Sequence, residues 1–143
     1  MNVKDILDNK GHAIYGLPDS AILREAIGML NDKNIGVVLI TDRSGKLVGI
    51  LSERDIIRRS LLQESGFRDE PVTKSMTSDV LTVPSSATID EVMEIMSNSK
   101  IRHVPVLDGD EIVGLISIGD VVKRKIADAE NEAAAMRDYI ASA

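Results

Sequence analysis

The chain has no cysteine and no tryptophan, and few aromatic residues of any kind. Tyr15, Phe67 and Tyr139 are the only aromatics among its 143 residues. Without cysteine there can be no disulfide framework, thiolate zinc site or cysteine nucleophile, and the composition suits a reducing compartment. With so few rings the chain lacks a platform on which nucleic acid bases could stack.

Positive charge and long apolar runs are also scarce. A formal net charge of -6 argues against sequence-independent binding to DNA or RNA, which depends on neutralising phosphates. No stretch approaches the roughly 20 apolar residues that cross a bilayer, and the N-terminus has no signal-peptide pattern. We therefore expect a cytoplasmic protein that binds neither nucleic acid nor membrane.

Recognisable catalytic arrangements are missing as well. The two histidines, His12 and His103, lie on unlike segments, and neither a Ser/His/Asp order nor a metal-ligand cluster accompanies them. We therefore expect no catalytic residue, no metal site, no catalytic cofactor and no enzyme activity.

What the chain does contain is a tandem duplication. Residues of the first half match residues of the second at an offset of 66, which becomes 65 after a turn. The clearest pairs are Pro18 and Pro84, Glu25 and Glu91, Asp42 and Asp108, Gly49 and Gly114, Ser52 and Ser117, and Asp55 and Asp120. A repeat fixes the architecture more firmly than local propensity does.

Each copy follows the same order of predicted elements. Apolar residues at i, i+3, i+4 and i+7 after each proline indicate a helix, and β-branched runs on either side of an Asp/Gly/Ser turn indicate two strands. A second helix follows, so each copy reads as strand, helix, strand, strand, helix. We place the first repeat at 1–62, a connector at 63–71, the second repeat at 72–127 and a C-terminal helical extension at 128–143.

The extension continues an apolar stripe in alternating steps of four and three, from Val122 to Ile140. Such a stripe can pack against another helix, and its alanines allow a close approach. Two interpretations remain open at this level: the stripe covers the module's own surface, or it contacts a second subunit.

A second feature carries the candidate chemistry. Gly-x-x-Ser-x-x-Asp occurs twice where a strand passes into a helix, as GILSERD from Gly49 to Asp55 and as GLISIGD from Gly114 to Asp120. A helix start offers free backbone N–H groups that suit phosphate or sugar oxygens, and an ionised Asp can accept hydrogen bonds from ribose hydroxyls.

The competing interpretation of the motif is a helix-capping box, in which the serine caps the helix and the aspartate returns a bond to the backbone. Capping alone requires neither the glycine nor an aspartate in both copies, so we favour a ligand site. Arg54 lies within the first motif and Arg58 follows it, and Arg102 and His103 begin the strand that leads to the second. These four side chains are candidate phosphate contacts.

The segments IRHVPVLDGDEIVGLISIGDVV and NIGVVLITDRSGKLVGILSERDII resemble the repeats of the cystathionine β-synthase (CBS) domain family. The resemblance covers nearly all of residues 1–127. It implies an α/β fold of two βαββα repeats, paired through their sheets into one pseudo-twofold module. This is the Bateman module, here of the stand-alone signal-transduction type, and such modules commonly form homodimers.

The resemblance also implies two clefts for adenosine nucleotides. In the stronger one, Ser117 and Asp120 hold the ribose and Arg102 and His103 the phosphate. The base of that nucleotide lies against Gly11, His12, Ala13, Ile35 and Gly36. In the other cleft Ser52 and Asp55 hold the ribose, Arg54 and Arg58 are the candidate phosphate contacts, and the base is surrounded by Thr77, Asp79, Val80 and Ile101.

The sequence therefore predicts a regulatory module that senses AMP, or next NAD(H) or ATP, and signals to an effector protein. The alternative is a ligand-free module used only for dimerisation or interaction. The preferred nucleotide, the number of filled sites and the regulated partner stay open.

Overall fold

The protein is described by a computed structural model that covers residues 1–62 and 65–142. Gln63 and Glu64 of the predicted connector and Ala143 of the predicted extension lie outside the described residues.

Five helices and two small sheets make up the described chain. The first part contains α1 (Val3–Lys10), β1 (Gly16–Pro18), α2 (Leu23–Lys33), β2 (Val37–Thr41), β3 (Leu47–Ser52) and α3 (Glu53–Ser60). Short 3₁₀ turns at Phe67–Asp69 and Val72–Lys74 lead to α4 (Ile89–Ser99), β4 (His103–Asp108), β5 (Glu111–Ser117) and α5 (Ile118–Ser142). The predicted α/β fold of two repeats is confirmed.

The two sheets differ in one strand. In the first repeat β1 pairs parallel to β2, which pairs antiparallel to β3. In the second repeat β4 and β5 form the antiparallel pair, and the expected first strand is reduced to an isolated parallel bridge between Val83 and Val106. The N–H of Val83 donates to Pro105 and its carbonyl accepts from Leu107. Val83 alone thus makes the hydrogen bonds of this strand. The next residue, Pro84, has no backbone N–H to donate, so the strand does not continue.

The two hydrophobic cores are completed by exchanged segments. The core of the second repeat, which includes Val104 and Ile116, also contains Val3, Ile6 and Leu7 of α1. The core of the first repeat contains Val72 from beyond the connector, and Met76 packs against it. Each repeat therefore buries apolar surface from the N-terminal segment of the other, so the two repeats share their cores.

The two exchanged segments differ in length and form. The first copy has three more residues between its leading valine and its proline, and there the chain forms the 8-residue helix α1. Asn2 and Asp5 form a reciprocal capping box at its start, and Gly11 ends it with φ +103, which favours glycine. The second copy has only the 3₁₀ turn Val72–Lys74 at this place.

Helix α5 extends past the second repeat. Val121 is its one buried residue among those described, and from Ala129 to Ser142 every side chain except Ala134 is exposed. The apolar stripe therefore does not cover the module's own surface. Within the described ranges no helix has the length and apolar character needed to span a membrane.

Candidate functional site

Both copies of the predicted motif lie where a strand passes directly into a helix. β3 ends at Ser52 and α3 begins at Glu53, and β5 ends at Ser117 and α5 begins at Ile118. The motif serines and aspartates are all half-buried.

Each motif forms a capping box. The Asp55 N–H donates to Ser52 Oγ (3.2 Å), and the Ser52 N–H donates to Asp55 Oδ2 (2.8 Å). Ser117 and Asp120 repeat this pair of bonds at 3.2 Å and 2.9 Å. The predicted capping hydrogen bonds are therefore present in both copies. It engages Oδ2 of each carboxylate, and a carboxylate has a second oxygen that can accept from a ligand hydroxyl.

The helix starts offer fewer free donors than the sequence suggested. The Glu53 N–H donates to the carbonyl of Gly36 (3.0 Å), and the Ile118 N–H donates to that of Arg102 (2.8 Å). The start of one strand thus satisfies the first helical N–H, and the motif serine satisfies the third. The remaining backbone alone forms a poor cradle for phosphate, so side chains have to supply most of that binding.

The motif glycines have a steric role. A Cβ on Gly114 would lie 2.6 Å from Cδ2 of Leu7, and one on Gly49 would lie 2.3 Å from Sδ of Met76. Each glycine makes room for the side chain that the other repeat inserts, because a methyl group cannot share that space. Segment exchange is enough to account for the glycines, so they are not by themselves evidence for a ligand.

Lys10 is a residue of the second motif site that sequence analysis missed. As the last residue of α1, it donates from Nζ to Asp120 Oδ2 (2.7 Å) and to the carbonyl of Leu115 (2.9 Å). Partial burial acts to raise the pKa of Asp120, but Lys10 and the Ser117 N–H outweigh it and hold that pKa below its ordinary value. The only sequence signal was a lysine at the end of an amphipathic turn, which is common on any helix surface.

His103 of the second repeat lies close to Gly36 of the first repeat. Its Cε1 lies 3.4 Å from the position that a Cβ would take on Gly36. Burial is the main cause of the lowered pKa of His103, and Lys10 and Arg102 lower it further against the opposing charges of Asp120 and Glu53. The lowered pKa favours the neutral imidazole in the ligand-free protein, and its ring N–H can donate to a phosphate oxygen.

The other residues predicted around the second motif differ in their exposure and in their contacts. The Arg102 side chain is exposed beside His103. His12 is exposed with Nδ1 2.8 Å from the carbonyl of Val113, and Ala13 is exposed next to it. Ile35 is partly buried and packs against the core of the first repeat, so it has less surface to offer a base than expected.

At the first motif the structure brings together part of the predicted set. A cavity of about 230 Å³ is lined by Asp55, Arg58, Arg59, Leu62, Lys74 and Ser75. The Oγ of Ser75 is buried there without a hydrogen-bond partner among the described residues. Lys74 and Ser75 come from the segment that the second repeat contributes, and sequence analysis did not identify them.

The remaining residues predicted for the first cleft do not line this cavity. Arg54 and Asp79 are exposed, and Val80 is half-buried. The backbone of Thr77 is engaged in a two-bond bridge with Ile50 (2.9 and 3.0 Å). Ile101 packs against the core of the second repeat.

A larger open cavity of about 620 Å³ lies elsewhere, near the hairpin turns of both repeats. It is lined by Ile14, Gly16, Leu17, Pro18, Thr41, Ser44, Gly45, Asp110, Glu111 and Ile112. It contains none of the predicted site residues, and its two carboxylates oppose an anionic ligand. Size alone would favour it, but the charged groups favour the motif sites. Within the described chain no group of three or more carboxylate or imidazole side chains could hold a metal ion.

Comparison with known proteins agrees with this architecture. The family model described as CBS domain matches residues 3–62 and 71–126. A putative signal-transduction protein with CBS domains from Burkholderia ambifaria is 39% identical, with a TM-score of 0.83 over 90% of this chain and 96% of that one. The chain covers 20% of the length of a CBS domain-containing protein of Arabidopsis thaliana to which it is 32% identical.

Two similar structures were solved with adenosine-containing ligands. A CBS domain protein from Pyrobaculum aerophilum, complexed with AMP, is 28% identical, with a TM-score of 0.76 over 84% of this chain and 89% of that one. The CBS domain pair of protein MJ0100, complexed with 5′-methylthioadenosine and S-adenosylmethionine, is 28% identical, with a TM-score of 0.79 over 90% and 98%. With two matched repeats and a shared fold along most of its length, the chain belongs to the CBS domain family.

Proposed function

We propose that the protein is a regulatory module without catalytic activity that senses an adenosine-containing nucleotide, AMP first and NAD(H) or ATP next. The nucleotide binds at the second motif and alters the surface offered to an effector protein. The observation that carries the proposal is the convergence of Asp120, Lys10 and His103, which come from three separate elements of both repeats.

The chemistry of this group suits a ribose phosphate. The free Oδ1 of Asp120 accepts from a ribose hydroxyl, while His103 donates to a phosphate oxygen. Arg102 adds positive charge beside His103. A nucleotide that contacts residues of both repeats stabilises one relative arrangement, and this differential affinity is what couples binding to a signal.

Charge favours AMP over the sulfonium ligand seen in one relative. Lys10 and Arg102 repel the positive sulfur of S-adenosylmethionine and attract a phosphate. Relatives bound to AMP and to methylthioadenosine support an adenosine ligand in general, and the cations of this chain select the phosphorylated form.

We further propose that the module acts in the cytoplasm as a homodimer. Ile57 on α3 and Leu61 directly after it are exposed, as are their repeat counterparts Val122 and Ile126 on α5. Exposed apolar residues at equivalent places on both repeats provide a symmetric surface for a second copy.

Calorimetry with AMP tests the nucleotide site. Asp120→Asn keeps an oxygen that can cap the helix but removes the charge, so we expect binding to weaken by about tenfold or more with unchanged far-UV circular dichroism. Asp55→Asn is the matched control and should leave the tighter binding event intact. Undiminished AMP binding by the folded Asp120→Asn protein would overturn the assignment.

A second candidate function, a ligand-free interaction module, is favoured by the capping boxes, which already occupy one oxygen of each aspartate. Thermal shift measurements separate the two candidates. A ligand that binds only the native state must raise the unfolding midpoint, so an unchanged midpoint with AMP, NADH and ATP at millimolar concentration would favour the ligand-free module.

A further inference from the structure

We infer that the C-terminal part of α5 forms a parallel two-stranded coiled coil with the same helix of a second copy of this chain. The inference deepens the homodimer proposed above by naming its surface and orientation. It does not depend on nucleotide binding.

The exposed part of α5 lacks a partner in its own module. Val122, Ile126, Met136 and Ile140 are 49%, 54%, 57% and 67% exposed. A helical segment as short as 129–142, without tertiary packing, is marginal in water, because nucleation is costly and few backbone bonds repay it. An apolar stripe on such a segment therefore indicates a packing partner.

The spacing of the stripe is that of a coiled coil. Its members, in alternating steps of four and three, are Val122, Ile126, Ala129, Ala133, Met136 and Ile140. This is a 3.5-residue period, with Ile126, Ala133 and Ile140 at a and the other three at d. Isoleucine at a favours two strands, and the central alanines allow the two helices to approach closely.

The charged residues beside the stripe select the parallel orientation. In a parallel pair each g residue faces the e residue five positions later on the other helix. Lys125 then meets Glu130 of the second copy, and Glu132 meets Arg137 of the second copy. Both contacts are between opposite charges, and twofold symmetry doubles each of them.

The antiparallel alternative brings like charges together. The register that keeps all the apolar layers sets Ile126 against Met136 and Ala129 against Ala133. Along its edges Glu130 then faces Glu130, Glu132 faces Glu132, and Lys123 faces Arg137. Like charges at these positions destabilise a coiled coil and serve as a device against the wrong orientation.

Glu132 and Arg137 form the decisive pair. Lys125 already forms an ion pair of 2.5 Å with Asp90 of α4 in its own copy. Its ion pair with Glu130 of the second copy therefore adds less to the stability of the dimer. Glu132 and Arg137 are exposed, and the described residues supply no ion pair to either of them.

A charge swap measured by sedimentation equilibrium at low salt tests the orientation. Glu132→Lys and Arg137→Glu should each weaken the dimer on the order of tenfold, because two attractive contacts become repulsive. The double variant should regain the original affinity. In the antiparallel register Arg137→Glu would instead strengthen the dimer, because the new carboxylate would face Lys123 of the second copy. A strengthened Arg137→Glu dimer, or a double variant that does not regain the affinity lost in the single variants, would overturn the proposal. Because both sites are exposed, circular dichroism should be unchanged in all three variants at concentrations where each is dimeric, and helicity should fall only where a variant dissociates.

Cysteine crosslinking provides a second readout, since the chain has no cysteine of its own. The parallel coil brings position 136 next to 136 of the second copy, so Met136→Cys should form a disulfide-linked dimer on mild oxidation. Asp138→Cys, which points away from the stripe, is the matched control.

Two results would contradict the parallel coil. One is crosslinking only when Met136→Cys is mixed with Ile126→Cys, which indicates antiparallel helices. The other is a protein that remains monomeric at tens of micromolar with neither variant crosslinked, which would leave the stripe for the effector protein.

Discussion

The two copies of the Gly-x-x-Ser-x-x-Asp motif have the same local geometry and different surroundings. Their capping bonds differ by no more than about 0.1 Å. What differs is the segment that the other repeat inserts over each motif. At the second motif this segment is α1, whose Leu7 covers Gly114 and whose Lys10 contacts Asp120. At the first it is the short turn Val72–Lys74, and Met76, two residues after the turn, covers Gly49.

The strand starts differ as well. The first repeat has Gly36 and Val37 where the second has Arg102 and His103. Gly36 lies beside His103, and a Cβ there would be in ordinary van der Waals contact with the imidazole. The comparison teaches that duplication supplied two equal scaffolds, while single residues outside the motif made one of them the better candidate for an anionic nucleotide.

The largest expected difference between the two sites is in packing. Leu7 is 1% exposed and Met76 only half-buried, so Leu7→Ala should lower the free energy of unfolding by about 3 kcal/mol and Met76→Ala by about 1.5 kcal/mol. Urea denaturation with matched m-values measures both losses. Equal losses would mean that packing stabilises the two exchanged segments by the same amount, which would contradict the expected difference.

The next largest expected difference between the two sites is in ligand preference, and it comes from Lys10. Its ion pair with Asp120 makes that carboxylate a weaker acceptor for ribose hydroxyls, while its charge attracts phosphate. Lys10→Met should therefore strengthen adenosine binding and lower the preference for AMP over adenosine by about fivefold. Calorimetry with both ligands measures this ratio, and Lys74→Met at the first motif is the matched control. An unchanged ratio in Lys10→Met would remove Lys10 from ligand recognition.

The smallest expected effect is a pH dependence at the second motif. Because Lys10 helps to hold the pKa of Asp120 below its ordinary value of 3.8, the ionised pair stabilises the folded state above that value. The stabilisation is lost as pH falls through the lower folded pKa. Lys10→Met should thus be less stable than the parent by about 0.5 kcal/mol at pH 6, with the gap closing as pH falls through the folded pKa of Asp120.

Urea unfolding of both proteins across this pH range measures the gap. A gap that persists unchanged in acid would show that Lys10 acts through packing of its methylene chain and not through its charge.

Much of this architecture could be read from the sequence. The offset pairs established the duplication, and the apolar periods gave the helices and the strand pairs, because these signals are local and occur twice. The serine and aspartate of each motif were placed correctly at the passage from strand to helix, since capping follows from the sequence around a helix start.

The segment exchange could not be read in the same way. Contacts such as that of Leu7 with Gly114 join residues far apart in sequence and leave no periodic pattern. The glycines were therefore assigned to a ligand when they serve packing. Val3, Ile6 and Leu7 do have helical spacing, and this was the available signal that α1 needs a surface to cover.

An AMP titration of isotope-labelled protein followed by NMR tests the central claim most directly. Our account predicts that the Asp120 carboxyl and the Lys10 ammonium shift first, together with His103. The Asp55 signals should follow only at higher AMP concentration. Shifts confined to the larger cavity around Asp110 and Glu111, or none at all, would contradict it.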